Sequence, residues 1–431
     1  MLYRANSIIN FKPYISLFKS FVFETSNCID KTIKGLYEAH ISKNKGDFKM
    51  NNRELAMLQS LPLVIKIEKS KQRIREAIKY FGVDHLYVPV SGGKDSMVVS
   101  HLVETIQKEL GIPKEKIPRV NSNTGNEYDD VLANARRLSD IEVKPEHNLI
   151  WVLTNVGYPI GSKKISRMLR DLQNPTEKNY NSRRLYIEGI KKDGTKTKSF
   201  KMPKKWYPFI DSCIRCSEKC CYYLKKEPMQ IYEKETGRRP ILGTMASEGG
   251  TRKGGYMQTG CNAFNTGKGK SMPIGFWEET DILHYIMAFE LTDFLPPVYG
   301  KIKEHIEINS NKNYSSEIIK LYDKEKALYD LNNFHRVNLK TTGVKRTGCV
   351  WCTLGVQMEK GKNRFQKLYE NDKRKYNFAI NGGKLDEHGK LIPGNGGLGM
   401  GKVLDLMGID YKPIEEKEDK IKFGEQISIF N

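Results

Sequence analysis

Two groups of residues in this sequence have the types and spacing that chemistry needs. The first is the hexapeptide SGGKDS, Ser91 to Ser96. In such a loop Gly92 and Gly93 let the backbone approach a phosphate closely, Ser91 and Ser96 offer hydroxyls, and Lys94 adds a point charge. Asp95, in what would be the first helical turn, is placed to orient a metal such as Mg or the loop itself. The second group is the cysteines. All of them except Cys28 lie beyond residue 210: Cys213, Cys216, Cys220 and Cys221 crowd together, Cys261 stands alone, and Cys349 and Cys352 form a CxxC. Clustered thiols in a reducing compartment point to metal or redox chemistry.

The cysteines admit three assignments. Adjacent thiols such as Cys220 and Cys221 do not easily close a disulfide with each other, but they supply two corners of a cluster, and Cys349 and Cys352 would supply the other two of a [4Fe-4S] centre. Cys213 and Cys216 joined to Cys349 and Cys352 would instead make a tetrathiolate zinc site. Free or redox-active thiols are the third assignment.

The elements around the hexapeptide suit a phosphate-binding role. HLYVPV ahead of it is a short β-branched and apolar run, and MVVSHLVETIQKEL after it has the apolar positions of a buried helix. An anion at the start of that helix would meet unpaired N–H groups and a partial positive charge. The spacing matches neither the Walker GxxxxGK[ST] nor the dinucleotide GxGxxG pattern. Further apolar segments, KIPRVNSNTGNEY and LIWVLTN, follow at intervals that predict repeated strand and helix units in a parallel sheet. The fold expected is α/β. Downstream, MQIYEKETGRRPILGTMASE reads as helix, turn and strand, and FWEETDILHYIMAF as an amphipathic helix. Upstream, residues 50–82 read as amphipathic helix interrupted at Pro62.

Composition sets the outer limits. The 431 residues, 39% hydrophobic, can bury a large core, which excludes wholesale disorder, a collagen-like fibre and a disulfide miniprotein. No stretch approaches the roughly 18 to 20 uninterrupted apolar residues of a membrane span, and the expectation is a soluble, cytoplasmic protein with no membrane partner. Seventy-two Lys and Arg against 51 Asp and Glu give a net charge of +21, which favours polyanionic partners such as DNA, tRNA or phosphorylated small molecules. Aromatic residues are sparse within the basic stretches. The expected organisation is an appendage over 1–49, a nucleotide-binding α/β domain over 50–300 with a basic insertion at 174–206, and a C-terminal region over 301–431 that carries the CxxC.

The hexapeptide resembles the PP-loop, SGGxDS, of the adenine nucleotide alpha hydrolase superfamily. Other segments resemble its phosphoadenosine phosphosulfate (PAPS) reductase family in particular: NTGNEY, TGRRPILGTMASEGGTR, SMPIGFWEETDILHYI and the block that begins GCVWCTLGVQMEKGKNRF. The resemblance spans about residues 50 to 411. It implies a Rossmann-like parallel sheet with a cysteine-rich C-terminal region. It also implies an adenylyl nucleotide, ATP or PAPS, held at Ser91, Gly92, Gly93, Lys94, Asp95 and Ser96 with Glu248, Arg252 and Arg346 nearby. Cys220, Cys221, Cys349 and Cys352 match the CC…CxxC of the cluster-binding branch. Sulfate-transferring members use a nucleophilic cysteine in a C-terminal tail, and here no cysteine follows Cys352. An internal thiol such as Cys261 would have to take that part, with Lys94 and Asp95 assisting. Otherwise the chain belongs with the branch that thiolates nucleic acid after ATP activation, or it is a non-catalytic nucleotide or redox sensor. An electron or sulfur donor protein is implied by either enzymatic branch.

Overall fold

The computed structural model describes residues 49–264, 269–310, 314–394 and 396–413. The expected appendage over 1–49 lies almost wholly outside them, and so does Cys28. Two helices open the described chain, α1 (Asn52–Ser60) and α2 (Leu63–Phe81), separated at Pro62 as the sequence predicts. Asn51 starts α1 with a reciprocal cap, accepting from Glu54 N while Glu54 Oε2 accepts from Asn51 N. Next come strand β1 (Leu86–Pro89), the glycine loop and helix α3 (Lys94–Leu110). Strand β2 (Arg119–Ser122), helix α4 (Asp129–Leu138) and strand β3 (Ile141–Val143) follow, and β4 (Arg239–Pro240) arrives much later.

These four strands form one parallel sheet in the order β3-β2-β1-β4. Val88 pairs with Arg119, Val120 with Ile141 and Leu86 with Arg239. The chain moves outward from β1 through β2 to β3, then returns to the other side of β1. The order therefore reverses between β1 and β4, and the carboxyl ends of the strands at such a switch point are the usual ligand position in open α/β sheets.

LIWVLTN departs from its expected strand and forms a helix, α5 (Leu149–Asn155). Asn148 accepts a hydrogen bond from Trp151 N and starts the helix, while the sheet position beyond β2 is taken by Ile141–Val143. Seven apolar-rich residues suit either a buried strand or a short helix, and here the cap decides. The helix over Glu227–Thr236 and the helix over Glu279–Ala288 appear where the sequence places them.

Two apolar cores hold the chain. The first packs α2, α3 and the helix Glu279–Ala288 against β1 through Ile67, Ile74, Val98, Leu102, Leu86, Val88 and Ile282. Ile302, Tyr322, Ala327 and Leu339 join this core. Ile302 and Leu339 belong to a three-stranded antiparallel sheet of Ile302–Ser310, Tyr314–Leu321 and Leu339–Thr341, Ala327 to the helix Lys324–Asn332, and Tyr322 to the link between sheet and helix. The second core draws Leu153, Ile165, Leu169, Trp206, Phe209 and Ile214 together with Val350, Phe365, Leu368, Val403 and Leu404. The basic insertion is tied into it: a helix spans Tyr180–Ile187, and Met202 and Trp206 are buried.

One ion pair lies deep in the first core. Lys66 Nζ donates to Asp281 Oδ2 at 2.6 Å, and the same oxygen accepts from Glu278 N at 2.7 Å at the helix start. Lys66 is fully buried, and burial pulls its pKa down against the pull of Asp281. Removing one partner of such a pair strands the other charge in an apolar setting. Asp281→Ala is expected to cost about 3 to 5 kcal/mol of stability by urea denaturation, and Lys66→Met with Asp281→Leu to recover most of that loss.

Candidate functional site

The glycine loop leaves β1 beside β4. Gly92 has φ +74°. A Cβ there would collide with the Val131 carbonyl and crowd Ala135 on α4, so the left-handed turn and the close approach both require glycine. From the other side, Gly243 just after β4 packs so tightly that a Cβ would stand 3.0 Å from the Asp95 carbonyl oxygen. The Ser96 hydroxyl donates to Gly93 O at 2.8 Å and lies 3.2 Å from both Ser91 N and Ser91 Oγ. Helix α3 starts at Gly93 with no side-chain cap. Of its first amides, that of Lys94 donates weakly to Tyr299 Oη at 3.4 Å.

Charged residues from four parts of the chain meet at this helix start. Lys94 is buried, its ammonium 2.9 Å from Lys345 O, 3.4 Å from Glu279 Oε1 and 3.7 Å from Asp95 Oδ1. Burial pushes the Asp95 carboxyl above its ordinary range, opposed by Lys94 and Arg346, and Asp95 Oδ1 has no hydrogen-bond partner. Arg252 and Arg346 both bond to Glu248 Oε1, the latter at 2.8 Å. Glu248 is enclosed, while the two guanidiniums reach solvent. The arrangement is a carboxylate bracing two forked cations beside a bare helix start, which suits a polyanionic ligand. All the loop and anion-binding positions named from the sequence thus gather in one place. Glu279, Tyr299, Lys345 and Thr347 join them and carry no sequence signal of their own.

The segment that supplies these last contacts leads straight into the CxxC. Lys345 O receives Lys94, Arg346 reaches Glu248, Thr347 Oγ1 lies 3.2 Å from Tyr299 Oη, and Cys349 follows two residues on. Val350 N then donates to Asn126 O in the NTGNEY turn after β2. Cys220, Cys221, Cys349 and Cys352 line one cavity together with Leu149, Pro159, Leu224, Lys225, Trp351 and Met400. Among the described residues, no group of three or more His, Cys, Asp or Glu side chains is arranged to hold a metal ion.

The four thiols are not equivalent. A hydrogen bond from Cys220 lowers the Cys221 pKa to about 5, with Lys163 and Lys225 assisting and burial opposing, while Cys220 is driven the other way. Burial pushes Cys349 up to about 11 and raises Cys352. Burial alone would lower the Lys225 pKa, but Cys349 and Glu127 outweigh it and keep the ammonium charged. Lys163 faces Cys221, and Lys164 donates to Ser199 O.

The other cysteines lie elsewhere. Cys213 is exposed and its carbonyl accepts from Leu391 N; Cys216 is buried in the second core and pushed up to about 12. Neither lines the cavity that holds Cys349 and Cys352. Cys261 packs against the first core with its sulfur 3.6 Å from Tyr256 Oη, and burial raises its pKa. A nucleophilic thiol needs the opposite shift.

With this geometry in view, the chain was compared with known proteins. It is similar to the crystal structure of phosphoadenylyl-sulfate (PAPS) reductase from Candida auris in its phosphate complex, at 13% identity and a TM-score of 0.27, covering 58% of this chain and 91% of that chain. No protein-family model and no curated protein matches.

The thiol asymmetry is open to direct measurement. In metal-free, reduced protein, Cys221 stays a thiolate down to about pH 5, whereas Cys349 becomes one near pH 11. Iodoacetamide followed by peptide mass mapping should therefore label Cys221 at near its full rate at pH 7 and leave Cys349 unlabelled. Identical pH profiles for the two would contradict the assignment.

Proposed function

We propose that this chain is a PAPS reductase-type enzyme. It binds an adenylyl nucleotide with its phosphates on Ser91–Ser96, Arg252 and Arg346, and carries out sulfur chemistry beside a [4Fe-4S] cluster held by Cys220, Cys221, Cys349 and Cys352. The observation that carries this reading is the continuity of residues 345–352: one short segment closes over the glycine loop at one end and enters the cysteine cavity at the other. A nucleotide fixed by its phosphates would thereby present its distal group toward the thiols.

The donor set is all thiol, which suits a cluster. Cys220, Cys221, Cys349 and Cys352 line one cavity, and a cluster held by their thiolates would supply one-electron chemistry when bound. The chain's own residues do the rest. The α3 amides, Lys94 and the two arginines neutralise phosphate charge, and Glu248 fixes the arginines.

A second reading has one observation in its favour. Cys261, the thiol that stands apart from the two pairs, packs beside Tyr256 and its pKa is raised by burial, which is the wrong direction for a thiolate that takes up a sulfuryl group. ATP-dependent sulfur modification of nucleic acid does not need one: the acceptor oxygen is adenylated, pyrophosphate leaves, and an incoming sulfur nucleophile displaces AMP.

Anaerobic incubation of the reduced protein with PAPS, adenylyl sulfate, or ATP with and without DNA or tRNA separates the readings by their products. Sulfite with the matching adenosine phosphate identifies a reductase; AMP and pyrophosphate that depend on nucleic acid identify the second reading. Nucleotide binding with no product in any arm points to a sensor. Iron and acid-labile sulfide near four each per chain, lost on Cys352→Ser, support the cluster. Gly92→Ala is expected to weaken nucleotide binding by a hundredfold or more, and an unchanged Kd overturns the phosphate site.

A further inference from the structure

The sequence shows few aromatics among its basic stretches, but the fold gathers them. His147 and Trp151, at the start of α5, stack with ring centroids 3.6 Å apart and planes 9° from parallel. Tyr223 meets both rings edge-on at 5.9 and 5.7 Å, and Tyr222 continues the group at 5.3 Å from Tyr223. Trp151 and Tyr222 are 36% and 41% exposed, so these rings face water. The two tyrosines begin a π-helical turn, Tyr222–Lys226, directly after Cys221. Beneath the rings, Leu149 and Leu224 belong to the cysteine cavity itself. The platform is therefore the outer wall of that cavity.

The rim is cationic. Lys219 and Lys226 flank the tyrosines and are exposed. The nearby carboxylates are partly committed: Glu218 is bound by Arg170 at 2.6 Å and Glu127 faces Lys225 at 3.6 Å, while Glu146 and Glu227 adjoin His147 and Lys226 in the chain. Flat aromatic faces ringed by lysines on a chain of net charge +21 match two features of one ligand class, an unpaired base and its phosphate. A duplex keeps its base faces stacked inside and cannot use such a platform. An apolar protein partner would use the rings and leave the lysines without a role.

We infer that His147, Trp151, Tyr222 and Tyr223, with Lys219 and Lys226, form a binding surface for single-stranded nucleic acid on the wall of the cysteine cavity. The site goes beyond the reaction assigned above and does not rest on it: a strand bound here is an acceptor under the second reading and a ligand under the first.

The test is fluorescence anisotropy of the full chain, with its metal content intact, against labelled strands of about 12 nucleotides. The DNA, the RNA and the duplex of one sequence are compared at fixed salt. Single strands are expected to bind more tightly than the duplex, and the DNA and RNA arms show which sugar is preferred. Trp151→Ala combined with Tyr222→Ala should raise Kd by about fivefold to a hundredfold, while Trp151→Phe, which keeps a stacking face, should stay near the parent. Lys219→Gln with Lys226→Gln should flatten the slope of log affinity against log salt by about 1.4, the share of two single-strand phosphate contacts. The substituted residues are exposed, and an unchanged thermal unfolding curve verifies each variant. Duplex binding as tight as single-strand binding overturns the inference. So does a double aromatic variant with the parent Kd, or the absence of any binding at micromolar protein.

Discussion

The buried ammonium of Lys94 holds the site together. It sits in the first turn of α3, where it would repel the positive end of the helix dipole, and three oxygens compensate it: the Lys345 carbonyl and the carboxylates of Glu279 and Asp95. Those oxygens come from three separate segments, so satisfying one cation fixes the helix Glu279–Ala288 and the segment ahead of the CxxC relative to the glycine loop. Because that segment runs on to Cys349, the position of the CxxC is set in part by a contact made at the glycine loop.

A second layer of charge depends on the first. Glu248 binds Arg252 and Arg346 and leaves both guanidiniums at the solvent boundary, while Asp95 is pressed between positive groups with one oxygen unpartnered. On the thiol side the logic is the same with the signs exchanged. The Cys220 hydrogen bond, with Lys163 and the cavity-lining Lys225, favours negative sulfur at Cys221, against burial that disfavours it at Cys349 and Cys352. The loop would hold an anionic ligand by cations already braced in place, and the cavity would hold thiolates by cations that await them.

Much of the first half of this arrangement could be read in the sequence. A β-branched run, two glycines with two serines, and an apolar helix gave β1, the loop and α3, because each signal is local. The cysteine grouping was legible in part: CC and CxxC stood out, but that Cys220, Cys221, Cys349 and Cys352 share a cavity which Cys213 and Cys216 do not line is visible only in the fold. LIWVLTN was misread because seven apolar-rich residues carry no decisive period, and the Asn148 cap that makes them a helix is a single side-chain bond. Cys261 could be placed by its solitude alone, and the structure sets it beside Tyr256 in an apolar setting.

By itself the sequence determined the local chemistry: which backbone could turn tightly, which helix would start without a side-chain cap behind it, and which thiols were paired along the chain. These follow from spacing within a few residues. The tertiary structure decided what lies next to what. It joined Glu248, Glu279 and Arg346 to Lys94 and Asp95, brought the two thiol pairs to one cavity, and stacked His147 and Trp151 beside Tyr222 and Tyr223. The physical reason is that these contacts are made by residues far apart in the chain, and their encounter depends on two cores assembled from interleaved segments, which no short stretch of sequence encodes.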